Sequence, residues 1–379
     1  MPDPITILFA GGGTGGHLYP GIAVAQALRE LMPEARPLFL CTEREIDRVI
    51  LEPGGYDFIP QPIVPPAISV SGLLRFWKSW RETRDLVRRV LRERRPAAAL
   101  GLGGYAAGVA IRESAARKIP CALLNPDVVP GKANQFLMKK AQAVCCQFDA
   151  TADHVSVADQ AKLKVTGCPI RADIRRLPPR EEAAARLSLD PRLLTLVITG
   201  ASLGAKTVNE AVLTMLGGIE LRGWQVLHLS GREQADAVRA GYRALADAGT
   251  QIGARIIDFT PAMADVWAIA DLAISRSGAS SCAELTASGV PSLLMPYPYH
   301  KDMHQRVNAE VLANAGAALL VEDEKDARKN ADKLRPMVET LLYDAGKRSA
   351  MSQAAKKLGK PDAAANVAHV VVELTRDKQ

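Results

Sequence analysis

Apolar residues along this chain form short continuous runs, and each run ends in a turn rich in glycine or polar residues. Residues 5–10 are one such run, which predicts a buried parallel strand; a glycine loop follows, and residues 19–31 then carry apolar side chains at helical spacing. The same order recurs at residues 194–199, in a second glycine loop and at residues 208–216. Two such openings half a chain apart predict two Rossmann-like domains.

Alternating units of the same kind fill both halves of the chain. Further strands are predicted at residues 37–41, 97–102, 121–124, 143–147, 163–166, 225–229, 254–259, 272–275, 292–296 and 317–321. Helices are expected between them, with right-handed crossovers. We therefore predict an α/β protein with an N-terminal domain over residues 1–170 and a C-terminal domain over residues 171–361. Residues 362–379 show helical spacing, and we expect that helix to pack back on the first domain.

Composition and charge narrow the classes of partner. A length of 379 residues suits two domains, and six cysteines without zinc or disulfide spacing are expected to be reduced thiols, with Cys145 and Cys146 in a buried strand. The net charge of +7 favours phosphorylated ligands or an acidic membrane face, and with only 5% aromatic residues no nucleic acid partner is expected. No transmembrane run or secretory leader is recognisable, so we expect a cytoplasmic protein.

The first glycine loop, residues 11–16, contains G-x-G-x-x-G between a predicted strand and helix. A dinucleotide site would need an acid at the tip of the second strand, and Glu43 falls late for that role. Such a loop brings backbone N–H groups close to an anionic ligand. Pro20 suits the first helical turn, and His17 at a helix start is expected to be neutral and able to accept a proton. The alternative is a histidine that only caps the turn.

Later segments carry groups suited to a nucleotide sugar. In the loop at residues 200–206, Ser202 and backbone N–H groups suit diphosphate oxygens, although a tight βα turn is the alternative reading. Glu284 lies near the start of a helix, where its carboxylate can accept both hydroxyls of a ribose. Gln305 and Asn308 are one helical turn apart, and their amides suit sugar hydroxyls.

Together these motifs resemble the MurG-type family of UDP-N-acetylglucosamine:lipid I N-acetylglucosaminyltransferases. The segments that carry the resemblance are GGGTGGHLYP, GLGGYAAG, GASLGAKTVNE, SRSGASSCAEL and HKDMHQRVNAEVL. The resemblance covers nearly the whole chain and implies two Rossmann-like domains facing a central cleft, the GT-B glycosyltransferase fold. It implies inverting transfer of N-acetylglucosamine from UDP-N-acetylglucosamine to the 4-hydroxyl of undecaprenyl-linked lipid I, giving lipid II for peptidoglycan without a metal or other cofactor.

Three alternatives to this activity stay open at the level of sequence. The first is a glycosyltransferase of the same fold that acts on another lipid or small-molecule acceptor. The second is a UDP-N-acetylglucosamine epimerase, which would consume the donor without an acceptor. The third is a non-enzymatic nucleotide-sugar-binding or membrane scaffold protein.

The resemblance also implies roles for individual residues. It places the donor on Thr14, Gly15, Gly16, Asn134, Arg171, Ser202, Phe259, Thr260, Ser277, Gly278, Ala279, Glu284, Gln305 and Asn308. It places the acceptor diphosphate on Gly13, Thr14, Gly16, His17, Gly103 and Gly104, and catalysis on His17, Tyr105 and Asp127. Within the donor set, Glu284 is expected to hold the ribose and Gln305 the sugar. Arg171 and Ser202 are expected at the diphosphate, and the backbone at residues 259–260 at the uracil.

One motif departs from the family pattern. Where the family usually has His-Glu-Gln-Asn, this chain has Leu124-Asn125-Pro126-Asp127. The family's glutamate is therefore Asn125 here. Three interpretations stay open. Asp127 supplies the carboxylate, His17 is sufficient as the base, or the enzyme is inactive or prefers another acceptor.

A basic segment before the second glycine cluster is a candidate for membrane contact. Its apolar and basic side chains are Leu73, Phe76, Trp77 and Trp80 at helical spacing, with Arg75, Lys78 and Arg81 beside them. A basic amphipathic helix with aromatic residues can lie on an anionic membrane, and packing of its aromatic face into the core is the alternative. Because the implied acceptor is lipid-linked, we predict peripheral contact with the anionic cytoplasmic face of the inner membrane.

Overall fold

The structure is a computed structural model that describes residues 4–66, 69–200, 204–299 and 302–376. It divides into two compact units. Unit 1 comprises Met1–Arg171 and Pro361–Gln379, and unit 2 comprises Ala172–Lys360. Over the described residues, each unit contains a parallel β-sheet with helices packed against it.

Strands and helices alternate along the described chain. The strands are β1 (Ile5–Ala10), β2 (Ala35–Thr42), β3 (Asp57–Gln61), β4 (Ala98–Gly101), β5 (Cys121–Asn125), β6 (Ala143–Cys146), β7 (Leu163–Val165), β8 (Leu194–Thr199), β9 (Trp224–Leu229), β10 (Ala254–Ile257), β11 (Leu272–Ser275), β12 (Ser292–Leu294) and β13 (Ala318–Leu320). The helices are α1 (Gly15–Leu31), α2 (Glu45–Leu51), α3 (Val70–Arg94), α4 (Ala107–Ala116), α5 (Lys132–Met138), α6 (Val157–Gln160), α7 (Ala172–Arg175), α8 (Arg180–Leu187), α9 (Lys206–Leu216), α10 (Ala235–Asp247), α11 (Met263–Ile269), α12 (Ala279–Ser288), α13 (His304–Asn314), α14 (Ala327–Tyr343), α15 (Ala345–Leu358) and α16 (Ala363–Arg376).

The sheet of unit 1 has the strand order β3-β2-β1-β4-β5-β6-β7, and the pairs are parallel. β1 lies inside the sheet, where Ile7 pairs with Pro37 on β2 and Ala98 on β4. The chain runs outward from β1 in both directions, so the loops that follow β1 and β4 lie side by side. In open parallel sheets this switch point is where ligands bind.

Apolar side chains fill both faces of this sheet. On one face, Val24 and Leu28 of α1 share a buried cluster with Phe9 and Phe39. Val371 of α16 belongs to the same cluster, so the C-terminal helix completes the core of unit 1 rather than that of unit 2.

Strand β3 is absent from the sequence prediction. Its segment, DFIPQ, contains Pro60 and opens on a charged residue, a pattern that argues against a central strand. β3 lies at the edge of the sheet and pairs with β2 alone among the described strands. At an edge, proline is tolerated because its missing N–H faces away from the ladder.

The sheet of unit 2 repeats the topology, with the order β10-β9-β8-β11-β12-β13 and parallel pairing. β8 takes the place that β1 has in unit 1, so the loops after β8 and β11 meet at the second switch point. The core joins Leu196 and Ile274 of the sheet to Val212 of α9 and Leu334 of α14. The predicted architecture of two Rossmann-like α/β domains is confirmed.

Candidate functional site

The first glycine loop is shaped from inside by a carboxylate. Asp47 of α2 is fully buried, and its oxygens accept hydrogen bonds from the Gly13 N–H at 2.8 and 2.9 Å. The Thr42 N–H and hydroxyl also donate to it, each at 2.7 Å. A Cβ at Gly12 would lie 2.3 Å from Asp47 Oδ2, so the carboxylate fills the space that a side chain would need. The Gly13 N–H is thus used within the protein, and the predicted contact of Gly13 with the acceptor diphosphate stays a prediction.

His17 lies in the first turn of α1, where the N-cap is Thr14. Its ring packs on the second glycine cluster: a Cβ at Gly103 would lie 3.2 Å from His17 Cδ2, and one at Gly104 would lie 3.2 Å from Cε1. Both glycines also have positive φ, 105° and 71°, which is a second reason, besides the close imidazole, for glycine at these positions. The two glycine clusters therefore meet at the imidazole.

Burial lowers the pKa of His17 below its ordinary value. A hydrogen bond to the Gly12 carbonyl and the carboxylates of Asp127 and Asp47 act in the opposite direction, more weakly. The Thr14 hydroxyl lies 3.1 Å from His17 Nδ1. The ring is therefore neutral near pH 7 and can accept a proton, which is what a general base requires.

Tyr105 and the start of α1 complete this cluster. The Tyr105 hydroxyl lies 3.7 Å from the position that a Cβ would take at Gly13, and its side chain is half-buried. Thr14, Gly15 and Gly16 supply the N-cap and the first two residues of α1, where backbone N–H groups have no partner inside the helix. The structure thus brings most of the predicted acceptor and catalytic residues together in unit 1.

Pro20 stands differently from the prediction, and Tyr19 brings Arg171 to the start of α1. Pro20 is the sixth residue of α1, so it lies in the second turn rather than the first. Tyr19 packs its ring over Gly15, where a Cβ would lie 3.0 Å away, and the guanidinium of Arg171 lies 5.6 Å from the same ring. This cation–π contact places the arginine expected at the diphosphate beside Gly15.

Residues 124–127, which depart from the family pattern, are held in place by hydrogen bonds from side-chain amides. Asn125 is buried, and its side chain donates to the Asp127 carbonyl at 2.8 Å. Asn134 donates to the Leu124 carbonyl at 2.8 Å and to Asn125 Oδ1 at 3.0 Å. At 6% exposure, Asn134 stabilises this loop in unit 1, and its predicted donor contact stays a prediction. Asp127 is half-buried and interacts electrostatically with His17.

In unit 2, α12 begins after Gly278 and places Glu284 in its second turn. The indole Nε1–H of Trp267, on α11, donates to Glu284 Oε2 at 2.8 Å. Trp267 is itself buried, so one carboxylate oxygen is held in a fixed position. Ala279 is the first residue of the same helix. The carboxylate predicted for the ribose therefore has a rigid support.

Ser277, Gly278 and Gln305 come together beside α13. The Ser277 hydroxyl donates to the Gln305 carbonyl at 2.7 Å, and Asn308 Nδ2 donates to the Ser277 carbonyl at 3.2 Å. Gln305 Oε1 accepts from the Tyr297 N–H at 3.0 Å, and its Nε2 lies 3.9 Å from a Cβ position at Gly278. Asn308 is fully buried and stabilises the loop, whereas Gln305 is half-buried.

A buried ion pair behind these loops has no role in the sequence prediction. Arg276 Nη1 donates to Asp323 Oδ2 at 2.8 Å, and the two side chains are 6% and 0% exposed. Burial opposes ionisation of Asp323, but hydrogen bonds from Thr207, Asn330, the Lys325 N–H and Arg276 keep its pKa below the ordinary value. The available signal was a lone arginine within the small-residue segment SRSGASS.

The remaining donor residues are spread more widely. Phe259 is 39% exposed, with the Arg232 guanidinium 5.0 Å from its ring centroid. The Thr260 hydroxyl accepts from the Ala262 N–H at 3.0 Å, which shapes the turn after β10. Ser202 lies outside the described residues.

Helix α3 divides the predicted membrane residues into two groups. Phe76 and Trp80 are half-buried and pack against the core of unit 1, as the alternative reading of this helix expects, and their membrane contact stays a prediction. Leu73 and Trp77 are exposed, as are Val70 and Leu74, which the prediction omitted. The exposed basic side chains of the same helix are Arg75, Lys78 and Arg81. The exposed apolar stripe thus lies on a different side of the helix from the stripe that the spacing predicted.

Two properties of the described residues bear on membranes and metals. None of the described helices is both long enough and apolar enough to cross a membrane. The same residues contain no group of three or more histidine, cysteine or acidic side chains arranged to hold a metal ion.

Comparison with known proteins gives two matching family models. The glycosyltransferase family 28 N-terminal domain matches residues 7–146, and the family 28 C-terminal domain matches residues 195–367. A UDP-N-acetylglucosamine–N-acetylmuramyl-(pentapeptide) pyrophosphoryl-undecaprenol N-acetylglucosamine transferase from Halothermothrix orenii is 32% identical over 362 residues, covering 94% of this chain and 95% of that protein.

Solved structures agree with these matches. The crystal structure of Acinetobacter baumannii MurG superposes with a TM-score of 0.76 at 25% identity, covering 98% of this chain and 100% of that one. A UDP-N-acetylglucosamine 2-epimerase from Neisseria meningitidis bound to UDP-N-acetylglucosamine has a TM-score of 0.68 at 14% identity, covering 99% and 100%. At that identity the epimerase shares the fold alone.

Proposed function

We infer the activity from the family: this chain belongs to glycosyltransferase family 28 and, within it, to the MurG-type N-acetylglucosaminyltransferases. It is a UDP-N-acetylglucosamine-dependent hexosyltransferase that forms lipid II from lipid I in peptidoglycan synthesis. The predicted family, GT-B fold and activity are confirmed by these relationships. The residue roles that follow are proposals.

Unit 2 binds the donor in this proposal. Glu284 accepts the two ribose hydroxyls through its carboxylate, which Trp267 holds in place on the second turn of α12. Gln305 contacts the sugar through Nε2, because Oε1 is already engaged by the Tyr297 N–H. The backbone at Phe259 and Thr260 reads the uracil. Ser277, Gly278, Ala279 and Asn308 shape the loop between the ribose and sugar contacts.

His17 is the base. The acceptor 4-hydroxyl oxygen bonds to C1 of N-acetylglucosamine as the bond from C1 to the diphosphate oxygen breaks, and that electron pair leaves with UDP. The hydroxyl proton passes to His17, whose pKa burial keeps low enough for the ring to be neutral beforehand. Asp127 then stabilises the imidazolium by charge, and Tyr105 donates a hydrogen bond to the acceptor. In this proposal Asn125 stabilises its loop and takes no part in proton transfer.

Charge that develops on the departing diphosphate needs positive partners. Arg171 supplies one, held beside Gly15 by its contact with Tyr19. The N-terminus of α9, which follows the loop containing Ser202, supplies the other through the N–H groups of its first turn, for which a helix has no internal partner. Gly103, Gly104 and the first residues of α1 bind the acceptor's own diphosphate.

Unit 1 also contacts the membrane in this proposal. Helix α3 presents Val70, Leu73, Leu74 and Trp77 outward, next to exposed Arg75, Lys78 and Arg81. An apolar stripe flanked by cations suits the interface of an anionic bilayer, where a lipid-linked acceptor resides. The enzyme therefore acts as a peripheral protein on the cytoplasmic face of the cell membrane.

Transfer of radiolabel from UDP-N-acetylglucosamine to a lipid I analogue tests the whole proposal. We expect a labelled lipid product and stoichiometric UDP release with the lipid I analogue, and neither product without acceptor. Conversion of the donor to an epimeric UDP-sugar without an acceptor would support the epimerase alternative, and transfer to diacylglycerol in preference to lipid I would support a different acceptor.

A further inference from the structure

A buried polar network lies behind the donor loops of unit 2. Arg276 directly precedes the Ser277–Gly278 turn, and Nη1 donates to Asp323 Oδ2 at 2.8 Å. Its Nη2 donates to the Thr207 hydroxyl at 2.7 Å. Buried charges persist when they are paired and hydrogen-bonded. The guanidinium is therefore held in one place.

Four elements contribute to this support. The Thr207 hydroxyl, at the start of α9, accepts from Arg276 and donates to Asp323 Oδ2 at 2.5 Å. The other Asp323 oxygen accepts from Asn330 Nδ2 and the Lys325 N–H, each at 2.8 Å. The network thus joins α9, the loop after β11, the loop after β13 and α14.

The Nη1 group of Arg276 also fixes a peptide plane just after β12. Nη1 donates to the carbonyls of Met295 at 2.9 Å and Pro296 at 3.0 Å, just after β12. The Pro296 carbonyl and the Tyr297 N–H belong to one planar peptide group, and in a trans peptide they point in opposite directions. The described residues contain no cis peptide bond. Anchoring the carbonyl therefore aims the Tyr297 N–H at Gln305 Oε1, where it donates at 3.0 Å.

We propose that Arg276, Asp323 and Thr207 are positioning residues that set the orientation of the Gln305 amide and thereby the recognition of the donor sugar. The proposal rests on the proposed function, in which Gln305 contacts that sugar. With Oε1 held by Tyr297, the amide presents its Nε2 hydrogens on the side of Gly278 and recognises a hydroxyl as an acceptor. Glu284 is held separately by Trp267, so the ribose contact is independent of the network.

Replacement of Thr207 tests this separation with little change in shape. Thr207→Val removes the bridging hydroxyl at nearly constant volume, and Thr207→Ser retains it. We expect Thr207→Val to weaken UDP-N-acetylglucosamine binding about fivefold, as loss of one net hydrogen bond does. Binding of UDP should be unchanged, because the substitution keeps the backbone N–H groups of α9 that are proposed for the diphosphate and UDP lacks the sugar. Thr207→Ser should bind both ligands as the wild type does, in calorimetric titrations of the full chain.

Gln305→Ala separates failure of this inference from failure of the proposed donor site. If Gln305→Ala weakens UDP-N-acetylglucosamine relative to UDP but Thr207→Val does not, the positioning network is refuted and the donor site stands. If Gln305→Ala leaves the ratio of the two affinities unchanged, the donor site assignment itself fails. Equal loss of both ligands in Thr207→Val, with a lowered Tm, would show a purely structural role and overturn the inference.

Discussion

The two units hold their functional side chains by different physical means. In unit 1, the His17 ring is held largely by shape, against the backbone of Gly103 and Gly104. In unit 2, Glu284 and Gln305 are held by directed hydrogen bonds from Trp267 and the Tyr297 N–H. A base has to change protonation state. Because the His17 ring is held mainly by packing, burial has the largest effect on its pKa. A sugar-binding amide has to present a defined donor direction, which hydrogen bonds fix.

Removing the base should have the largest effect. His17→Ala should lower kcat by about 10²–10⁴-fold, the usual contribution of general base catalysis. The Kd for UDP-N-acetylglucosamine should change little, because the proposed donor contacts with ribose and sugar are in unit 2. Steady-state kinetics with a lipid I analogue and calorimetry with the donor measure the two quantities.

The pH dependence of the wild type is a control on that result. A base works in its deprotonated form, and burial lowers the pKa of His17 below 6.5. The active form therefore persists as pH falls through 6.5, and the acid limb of kcat/KM should lie below that pH. If His17→Ala weakened donor binding as much as turnover, the assignment of the base to unit 1 would have to be abandoned.

Removing the charge at the ribose contact should have the next largest effect. Glu284→Gln should weaken UDP binding by roughly 10–100-fold, since hydrogen bonds to a charged group contribute about 1.5–3 kcal/mol. Trp267→Phe, which removes only the supporting N–H, should cost a few-fold. Both variants should affect UDP and UDP-N-acetylglucosamine alike, in contrast to Gln305→Ala. An unchanged Kd for UDP in Glu284→Gln would place the ribose elsewhere.

A steric change in unit 1 should have an intermediate effect. Gly104→Ala adds a Cβ at 3.2 Å from the His17 ring, at a φ of 71° that disfavours alanine by roughly 1–2 kcal/mol. We expect kcat to fall about tenfold through displacement of the base, with donor affinity retained. The matched control is Gly131→Ala, where φ is −61° and no described atom lies within 4 Å of the added Cβ. An equal kcat in the two variants would argue against the claim that packing on Gly103 and Gly104 holds the His17 ring in place.

The smallest effect should come from the exposed face of α3. Trp77→Ser should reduce binding to phosphatidylglycerol vesicles a few-fold, because one aromatic side chain leaves the interface. Trp80→Ser should instead lower Tm, because Trp80 packs on the core of unit 1. Vesicle sedimentation and thermal unfolding distinguish the two. Loss of vesicle binding in Trp80→Ser at unchanged Tm would reverse the assignment of the two faces.

The fold could be predicted from the sequence, and so could the site residues that lie within recognisable local motifs. Strand runs followed by glycine loops marked β1 and β8, and the motifs pointed to His17 and Glu284. Side chains whose roles depend on contacts distant in sequence could not be predicted. Asp47 enters the first glycine loop from α2, 34 residues beyond Gly13. Asp323 reaches Arg276 across 47 residues, so neither carboxylate has a local pattern.

The α3 helix shows a different reason for error. Spacing alone identified an apolar stripe, but two overlapping stripes fit the same residues. Tertiary packing decided that Phe76 and Trp80 face inward while Val70 and Leu74 face outward. Helical periodicity gives the relative direction of side chains and leaves open which face meets the sheet.

The central claim is that unit 2 binds the donor through a ribose contact and a sugar contact, each held by its own hydrogen bond. The structure of the chain with bound UDP-N-acetylglucosamine tests this claim most directly. We predict both ribose hydroxyls within hydrogen-bonding distance of the Glu284 carboxylate. We also predict a sugar hydroxyl at Gln305 Nε2, with Oε1 still on the Tyr297 N–H. A ribose remote from Glu284, or a Gln305 amide turned away from Tyr297, would contradict the account.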